Sequence, residues 1–194
     1  MWSKVLAIRS RAAAWLTAGI GTFAALALAF VLGAFEAMPK GALPQITAGQ
    51  SIEAGKWQIT PLKAWITDSK IHGLTPKEGQ KALVVEVELM NRSIQSDMGY
   101  ASTFLLPPEM GAKADRPMIY LDRDESLMPN LQPGMAEKMA YVWLMPADAV
   151  PKGTIELAIE AWGFKLRNNL TGTPGWWNKT IAGSVLLPIS AGQG

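Results

Sequence analysis

An uncharged apolar segment near the amino terminus constrains this chain more than any other feature. Residues 12–35 include no charged side chain over 24 consecutive positions. As an α-helix rising about 1.5 Å per residue, the segment reaches roughly 36 Å, which exceeds the hydrocarbon thickness of about 30 Å. The sequence therefore predicts one transmembrane helix over residues 12–35.

The charges on either side of this segment predict its orientation. Lys4, Arg9 and Arg11 precede it, and Glu36 is the first charged residue after it. Basic flanks remain on the cytoplasmic side of a membrane. We therefore expect residues 1–11 to form a cytoplasmic flank, and the chain after the helix to lie outside the cell membrane, which it crosses once.

A cleaved secretory signal is the competing interpretation of the same segment. Such a signal has an apolar region of about 7–15 residues followed by a small-x-small cleavage site. Cleavage after Ala37 would place Phe35 where a small side chain is required, and cleavage after Ala34 would place Leu32 there. The chain contains no cysteine, which excludes the modified cysteine of a bacterial lipoprotein. We therefore favour an uncleaved anchor.

Small side chains form a stripe along the predicted helix. Gly21, Ala25, Ala29 and Gly33 recur every four residues, and at about 100° per residue they share one face. Small residues allow two helix backbones to approach closely in lipid. The stripe predicts packing against a partner helix, either in a homo-oligomer or in another integral membrane protein. The alternative is a compositional bias of an alanine-rich span.

Composition divides the rest of the chain into a linker and one domain. Residues 36–50 contain two prolines and two glycines, which predicts a linker. Residues 51–190 are numerous enough for a domain with its own core, and residues 191–194 form a tail. Once the cytoplasmic flank is set aside, 15 basic residues remain against 16 acidic ones. This near-neutral part gives no reason to expect nucleic-acid binding.

Alternating apolar and polar residues predict an all-β fold for residues 51–190. Residues 81–91 place leucine or valine at every second position, and residues 138–145 are apolar on both faces, as expected for a central strand. About seven such runs, separated by turns, predict an antiparallel β-sandwich. A change of parity at Pro61 predicts a β-bulge or a strand edge there.

The order of strands and turns also resembles a known family. One strand ends in Asn91-Arg92-Ser93, a later turn reads Leu131-Gln132-Pro133-Gly134, and the apolar strand after it closes on Pro146-Ala147-Asp148. This pattern resembles immunoglobulin-like extracytoplasmic domains of bacterial, especially actinobacterial, lipoproteins and single-pass membrane proteins. The resemblance implies an immunoglobulin-like antiparallel β-sandwich outside the membrane, and it brings no catalytic residues.

The residue inventory offers no convincing enzyme, metal or cofactor site. The single histidine, His72, has no nucleophile signature beside it, and we interpret it as a loop residue. Residues 122–125, Asp-Arg-Asp-Glu, carry oxygen ligands for Ca²⁺ but lack the spacing and the glycine of a calcium loop, so we expect a solvated acidic turn. We therefore predict a non-enzymatic protein without a cofactor.

Two adjacent tryptophans stand out in a loop predicted over residues 168–179. Trp176 and Trp177 follow a stretch rich in Gly and Pro that cannot bury them, and in an extended chain they point to opposite sides. Tryptophan is favoured at partner interfaces and at the membrane–water boundary. The pair therefore marks a candidate interaction loop. The alternative is that both indoles cap the open end of the sandwich.

These features predict a membrane-anchored extracytoplasmic domain that acts as an accessory or interaction subunit of a cell-envelope membrane protein complex, such as a transporter or an assembly complex. Its expected partners are the lipid bilayer and either an integral membrane protein or a second copy of the chain. The alternative function is a module that binds a sugar or an envelope polymer through the Trp176-Trp177 loop.

Leucine substitutions test the small-residue stripe. Gly21→Leu plus Ala25→Leu should prevent close backbone approach and reduce association, whereas Phe23→Leu plus Phe30→Leu on the opposite face should leave association unchanged. Both pairs stay apolar, so membrane insertion should be the same. Cross-linking and co-purification of the full chain measure association. Equal association of both variants and the unaltered chain would mean that the stripe reflects only the alanine-rich composition of the segment and not a packing face.

Overall fold

The computed structural model describes residues 42–191, together with Phe23, Leu28 and Phe30, which are helical and exposed. The remaining positions of the transmembrane helix predicted over residues 12–35 lie outside the described residues, as does its stripe, Gly21, Ala25, Ala29 and Gly33. Within the described residues, no helix is both long enough and apolar enough to cross a membrane.

Nine β-strands account for almost all regular structure in residues 42–191. They are β1 (Gln45–Thr47), β2 (Ile52–Ala54), β3 (Trp57–Thr67), β4 (Gln80–Asn91), β5 (Phe104–Leu105), β6 (Met118–Leu121), β7 (Ala136–Pro146), β8 (Thr154–Lys165) and β9 (Gly175–Ala191). A 3-10 turn at Gly99–Ser102 and a one-turn helix at Pro108–Gly111 lie between β4 and β6. The predicted all-β fold is confirmed, and so is the bulge, because the register of β3 against β4 shifts between Pro61 and Lys63.

The strands form two sheets that share β9. Strands β3, β4, β7 and β6 are neighbours in that order in one sheet, and β5, β8 and β9 are neighbours in the other. β9 pairs antiparallel with β8 as far as Pro188 and then parallel with β3 over Ile189–Ala191. β1 lies parallel along β9, and β2 pairs with β3. The last strand therefore passes from one sheet to the other.

One hydrophobic core lies between the two sheets. Every second residue of β4 from Leu83 to Leu89 points into it and is fully buried. From the opposite sheet, Leu157 and Ile159 of β8 and Leu187 of β9 meet these side chains and are also fully buried. Two sheets that bury their facing sides in one shared core form a β-sandwich.

Strand β7 is covered on both faces, as predicted for residues 138–145. Met139 and Tyr141 face the core between the sheets, whereas Ala140 and Val142 face an outer cluster. β7 has β4 on one side and β6 on the other. The prediction of a central strand is confirmed. The outer cluster also includes Ala82, Val84 and Tyr120, with Trp65, Ile71, Leu74 and Leu144 packed against it.

The predicted start of the domain is wrong. Residues 36–50 were expected to form a linker, but Gln45–Thr47 form β1, Ile46 is buried, and the compact unit begins at Leu43. A strand of three residues is too short to show an alternating pattern, so the prolines and glycines around it dominated the sequence signal. Pairing with the distant strand β9 creates this element.

Asn91 ties connecting segments together at one end of the sandwich. Its side chain is fully buried. Nδ2 donates hydrogen bonds to the backbone carbonyls of Gln95 (2.7 Å) and Leu131 (2.9 Å). Oδ1 accepts from the amide (2.9 Å) and the hydroxyl (2.7 Å) of Ser93. Both ends of the buried amide are therefore satisfied. The two carbonyls each have a second donor, the Asp97 amide (3.2 Å) for Leu131 and the Ser93 hydroxyl (2.9 Å) for Gln95.

We expect Asn91→Ala to lower the free energy of unfolding by about 2 kcal/mol, because it removes the four hydrogen bonds of a fully buried amide while both carbonyl acceptors keep a second donor. Gln95→Ala is the matched control: the Gln95 side chain is exposed and only its backbone carbonyl takes part, so its effect should stay within about 0.5 kcal/mol. Urea titration of the full chain in detergent, followed by tryptophan fluorescence, measures both. Equal stability of the two variants would contradict this account of the network.

Candidate functional site

The loop predicted over residues 168–179 is wrong in its second half, because β9 begins at Gly175. The antiparallel pairing of β8 with β9 extends as far as the residue pair Lys165 and Gly175. Trp176 and Trp177 therefore lie in a strand. The glycine and proline residues before the indoles predict a loop. Pairing with β8 extends the strand instead, and local sequence does not reveal that pairing.

The two indoles project to opposite sides of the β8–β9 hairpin, defined here as residues 162–179. Trp176 packs edge-on against its cross-strand neighbour Phe164, with 5.2 Å between ring centroids. Trp177 lies over Gly175, where an added Cβ would be 2.7 Å from the Trp177 Nε1 atom. Both indoles are half-buried, and neither belongs to the core between the sheets.

The far end of the hairpin exposes large apolar side chains together with positive charge. Phe164 is 53 % exposed, Leu166 is 84 % exposed and Leu170 is 96 % exposed. Lys165 and Arg167 are exposed at this end, and residues 161–180 contain no acidic residue. Exposed apolar side chains that lie beside charged residues of a single sign are typical of an interaction surface.

The base of the hairpin is fixed to the sandwich. Lys179 Nζ lies 5.0 Å from the centre of the Trp162 ring, forms an ion pair with Glu160 and donates a hydrogen bond of 3.0 Å to Ser102 Oγ. Asn178 is an extra residue in β9 with φ of 57°, at a register shift next to Trp162. Such a bulge increases the local twist of a hairpin. The apolar end of the hairpin therefore projects from a base that these contacts of Lys179 hold in place.

A second candidate site is a cavity of about 370 Å³ on the outer face of β3, β4 and β7. Strand residues Trp65 and Glu86 and loop residues His72, Asp122 and Glu125 contribute to its lining. The cavity thus combines an aromatic ring, a histidine and carboxylates. Such a set suits a small polar ligand.

Two features that the sequence presented separately meet at this cavity. His72 and Glu125 both lie in turns, as expected, but His72 Nδ1 is 3.5 Å from Glu125 Oε1, and the His72 ring stacks on Tyr120 with centroids 5.0 Å apart. Burial and then the negative charge of Glu125 raise the pKa of the Tyr120 phenol. No spacing rule connects positions so distant in sequence, so sequence analysis missed this pairing.

The chemistry of this second site is limited. His72 Nδ1 is buried and has no hydrogen-bond partner among the described residues. The described residues also contain no group of three or more His, Asp or Glu side chains placed to hold a metal ion. What the side chains offer is a polar surface that can donate and accept hydrogen bonds around one aromatic ring.

The fold defines an all-β sandwich protein. No protein-family model matches the sequence, and no curated protein matches it. A solved structure, an uncharacterized β-sandwich protein from Clostridium difficile 630, is similar over 79 % of this chain and 99 % of that chain, with a TM-score of 0.47 and 10 % sequence identity.

A glycine substitution tests the backbone strain at the cavity. Glu125 has φ of 57°, which glycine adopts without a Cβ penalty. Because the Glu125 side chain is 65 % exposed and its contact with His72 Nδ1 is as long as 3.5 Å, its loss should cost little, and Glu125→Gly should raise the free energy of unfolding by up to about 1 kcal/mol. Arg123→Gly, in the same turn but without a positive φ, should lower it by about 0.5–1 kcal/mol.

Urea titration of the full chain checks both substitutions. A loss of stability in Glu125→Gly as large as that in Arg123→Gly would show that the carboxylate of Glu125 stabilises the turn by more than its backbone conformation costs.

Proposed function

We propose that this chain is a non-enzymatic, membrane-anchored extracytoplasmic domain that acts as an accessory or interaction subunit of a cell-envelope membrane protein complex, such as a transporter or an assembly complex. In this proposal residues 12–35 cross the cell membrane once with the amino terminus in the cytoplasm. The partners are the bilayer and either an integral membrane protein or a second copy of the chain, reached through the small-residue stripe.

One observation carries the proposal: an uncharged segment of 24 residues precedes a compact β unit that begins at Leu43. Three basic residues flank the segment on its amino-terminal side, and the first acidic residue follows it. A domain joined so closely to a spanning segment stays beside the bilayer, where membrane proteins are its nearest partners.

We also propose that the sandwich is immunoglobulin-like, as the resemblance to the extracytoplasmic family implies. The constant-type immunoglobulin fold places its first, second, fifth and fourth strands in one sheet and its third, sixth and seventh in the other. Counting from β3, the present chain has β3, β4, β7 and β6 in one sheet and β5, β8 and β9 in the other. The agreement in both spatial and chain order supports the proposal.

A module that binds a sugar or an envelope polymer is the second candidate function. Trp176 and Phe164 form a partly exposed aromatic pair on one side of the hairpin, which suits the apolar face of a sugar ring. Because Trp177 lies on the other side, a ligand would meet one indole and not both. The outer cavity beside Trp65 and Glu86 is a second place for the same ligand chemistry.

Purification of the full chain from native membranes in mild detergent separates the two functions. We expect a membrane protein to co-purify at a fixed ratio, or the chain to purify as a homo-oligomer, and we expect Gly21→Leu plus Ala25→Leu to abolish that association. Lys152→Ala, an exposed position in the loop between β7 and β8, is the control and should leave it intact. Recovery of the chain as a monomer that carries glycan, with the glycan lost in Trp176→Ala, would contradict the first function and support the second.

A further inference from the structure

The β8–β9 hairpin has the composition of a segment that sits at a membrane surface. Its exposed apolar side chains are Phe164, Leu166 and Leu170, and two tryptophans lie beside them. Tryptophan concentrates at the boundary between headgroups and hydrocarbon, where its apolar body and its polar N–H each find a suitable environment.

The charge of the hairpin favours an anionic surface. Lys165 and Arg167 are exposed, and neither forms an ion pair with a described residue. No acidic residue occurs between positions 161 and 180. Basic side chains near a bilayer that contains anionic lipids are attracted to its negative surface potential, and this attraction adds to apolar insertion. The hairpin therefore complements an anionic headgroup layer in both polarity and charge.

The direction of β1 shows which end of the sandwich the chain enters. β1 runs parallel to β9, with Gln45 beside Ser184, so the chain before Gln45 continues toward the beginning of β9. The Ser184 amide donates a 2.9 Å hydrogen bond to the carbonyl of Pro44, which confirms this path. β9 begins at Gly175, at the hairpin. Residues 43–44 therefore lie toward the same end of the sandwich as the hairpin.

Two lengths can be compared, that of β9 between Gly175 and Ser184 and that of the chain between Phe35 and Gln45. From Ser184 back to Gly175, β9 extends by roughly 30 Å at about 3.3 Å per residue. From Phe35, where the predicted span ends, to Gln45 the chain can cover at most about 36 Å. The length of the hairpin is thus comparable with the longest extension available between the predicted span and β1.

The two ends of the sandwich differ in their exposed side chains. Ile94 is 92 % exposed and follows Asn91, the last residue of β4. Asn91 pairs with Trp57, the first residue of β3. Because β3 runs parallel to β9, both strands begin at the hairpin end, and Ile94 lies at that end too. At the other end, the connections at residues 68–79, 106–117 and 147–153 expose no large hydrophobic side chain, although Leu105 and Met118 beside the second are 38 % and 40 % exposed. Large hydrophobic side chains that are more than half exposed are thus present at the hairpin end and absent from these opposite connections.

From these observations we propose that the β8–β9 hairpin is a bilayer-contacting element that inserts its apolar end into the headgroup region of an anionic membrane, with Lys165 and Arg167 against the lipid phosphates. The proposal rests on the proposed membrane anchoring, and it adds a second point of attachment. A domain held both by its anchor and by this hairpin presents its opposite end, with residues 68–79 and 147–153, away from the bilayer.

A polarity-sensitive fluorophore tests this directly, since the chain has no cysteine and accepts a single labelled one. The purified full chain carries the probe at Leu170→Cys or, as the matched control, at Lys152→Cys in the loop between β7 and β8, and is reconstituted in phosphatidylcholine vesicles with or without phosphatidylglycerol. In the anionic vesicles we expect a blue-shifted emission and quenching by nitroxide-labelled lipid for the Leu170→Cys probe. We expect neither for the Lys152→Cys probe.

Charge substitutions provide the second arm of the experiment. Lys165→Gln plus Arg167→Gln should reduce the equilibrium ratio of membrane-inserted to membrane-free hairpin by about fivefold for each removed charge. Lys77→Gln plus Lys152→Gln removes the same charge from the opposite end, and with the Leu170→Cys probe it should leave quenching unchanged. Equal quenching in both charge variants would overturn the electrostatic part of the proposal.

The remaining outcomes separate this proposal from the proposed anchoring. A chain that is extracted from the vesicles by alkaline carbonate contradicts the anchoring itself. A chain that stays anchored while its Leu170→Cys probe is as unquenched as the Lys152→Cys probe overturns the hairpin proposal and leaves the anchoring intact. Shielding of the Leu170→Cys probe in native membranes but not in vesicles would assign the hairpin to a protein partner and also overturn it.

Discussion

The pairing of β9 is the constraint on which the rest of the domain depends. Its first part pairs with β8, its last three residues pair with β3 in the other sheet, and β1 lies along its remaining edge. The close approach of β1 requires glycine at position 183, because a Cβ there would lie 2.5 Å from the carbonyl oxygen of Pro44. One strand therefore joins both sheets and also determines where the chain enters the sandwich.

This arrangement gives the domain two different surfaces. At one end the β8–β9 hairpin carries exposed apolar side chains and positive charge on a base that Lys179 fixes to Glu160 and Trp162. On the outer face of β3, β4 and β7, His72 and Glu125 adopt positive φ around a polar cavity. Backbone conformations of this kind persist when the surrounding structure supports them, and they concentrate at sites with a function.

The strands of the core were predictable from sequence because burial of one face imposes an alternation of two residues, as in Leu83–Leu89. β7 was predictable for a related reason, since both of its faces are covered. β1 and the beginning of β9 were not, because their pairing partners are remote in sequence and Gly and Pro around them suggest loops. The contact of His72 with Glu125 depends on strand order, which local patterns do not encode. Apart from Phe23, Leu28 and Phe30, the anchor segment lies outside the described residues, so its interpretation remains a prediction.

We propose that the amino terminus lies in the cytoplasm while the β domain lies outside the membrane. Single cysteines in the cysteine-free chain, at Ser3→Cys or Lys152→Cys, allow this to be measured with a membrane-impermeant maleimide on intact cells. The account predicts that Lys152→Cys is labelled in intact cells, that Ser3→Cys is labelled only after permeabilisation, and that both proteins are recovered in the membrane fraction. Labelling of Ser3→Cys but not of Lys152→Cys in intact cells, or recovery of a soluble protein, would contradict it.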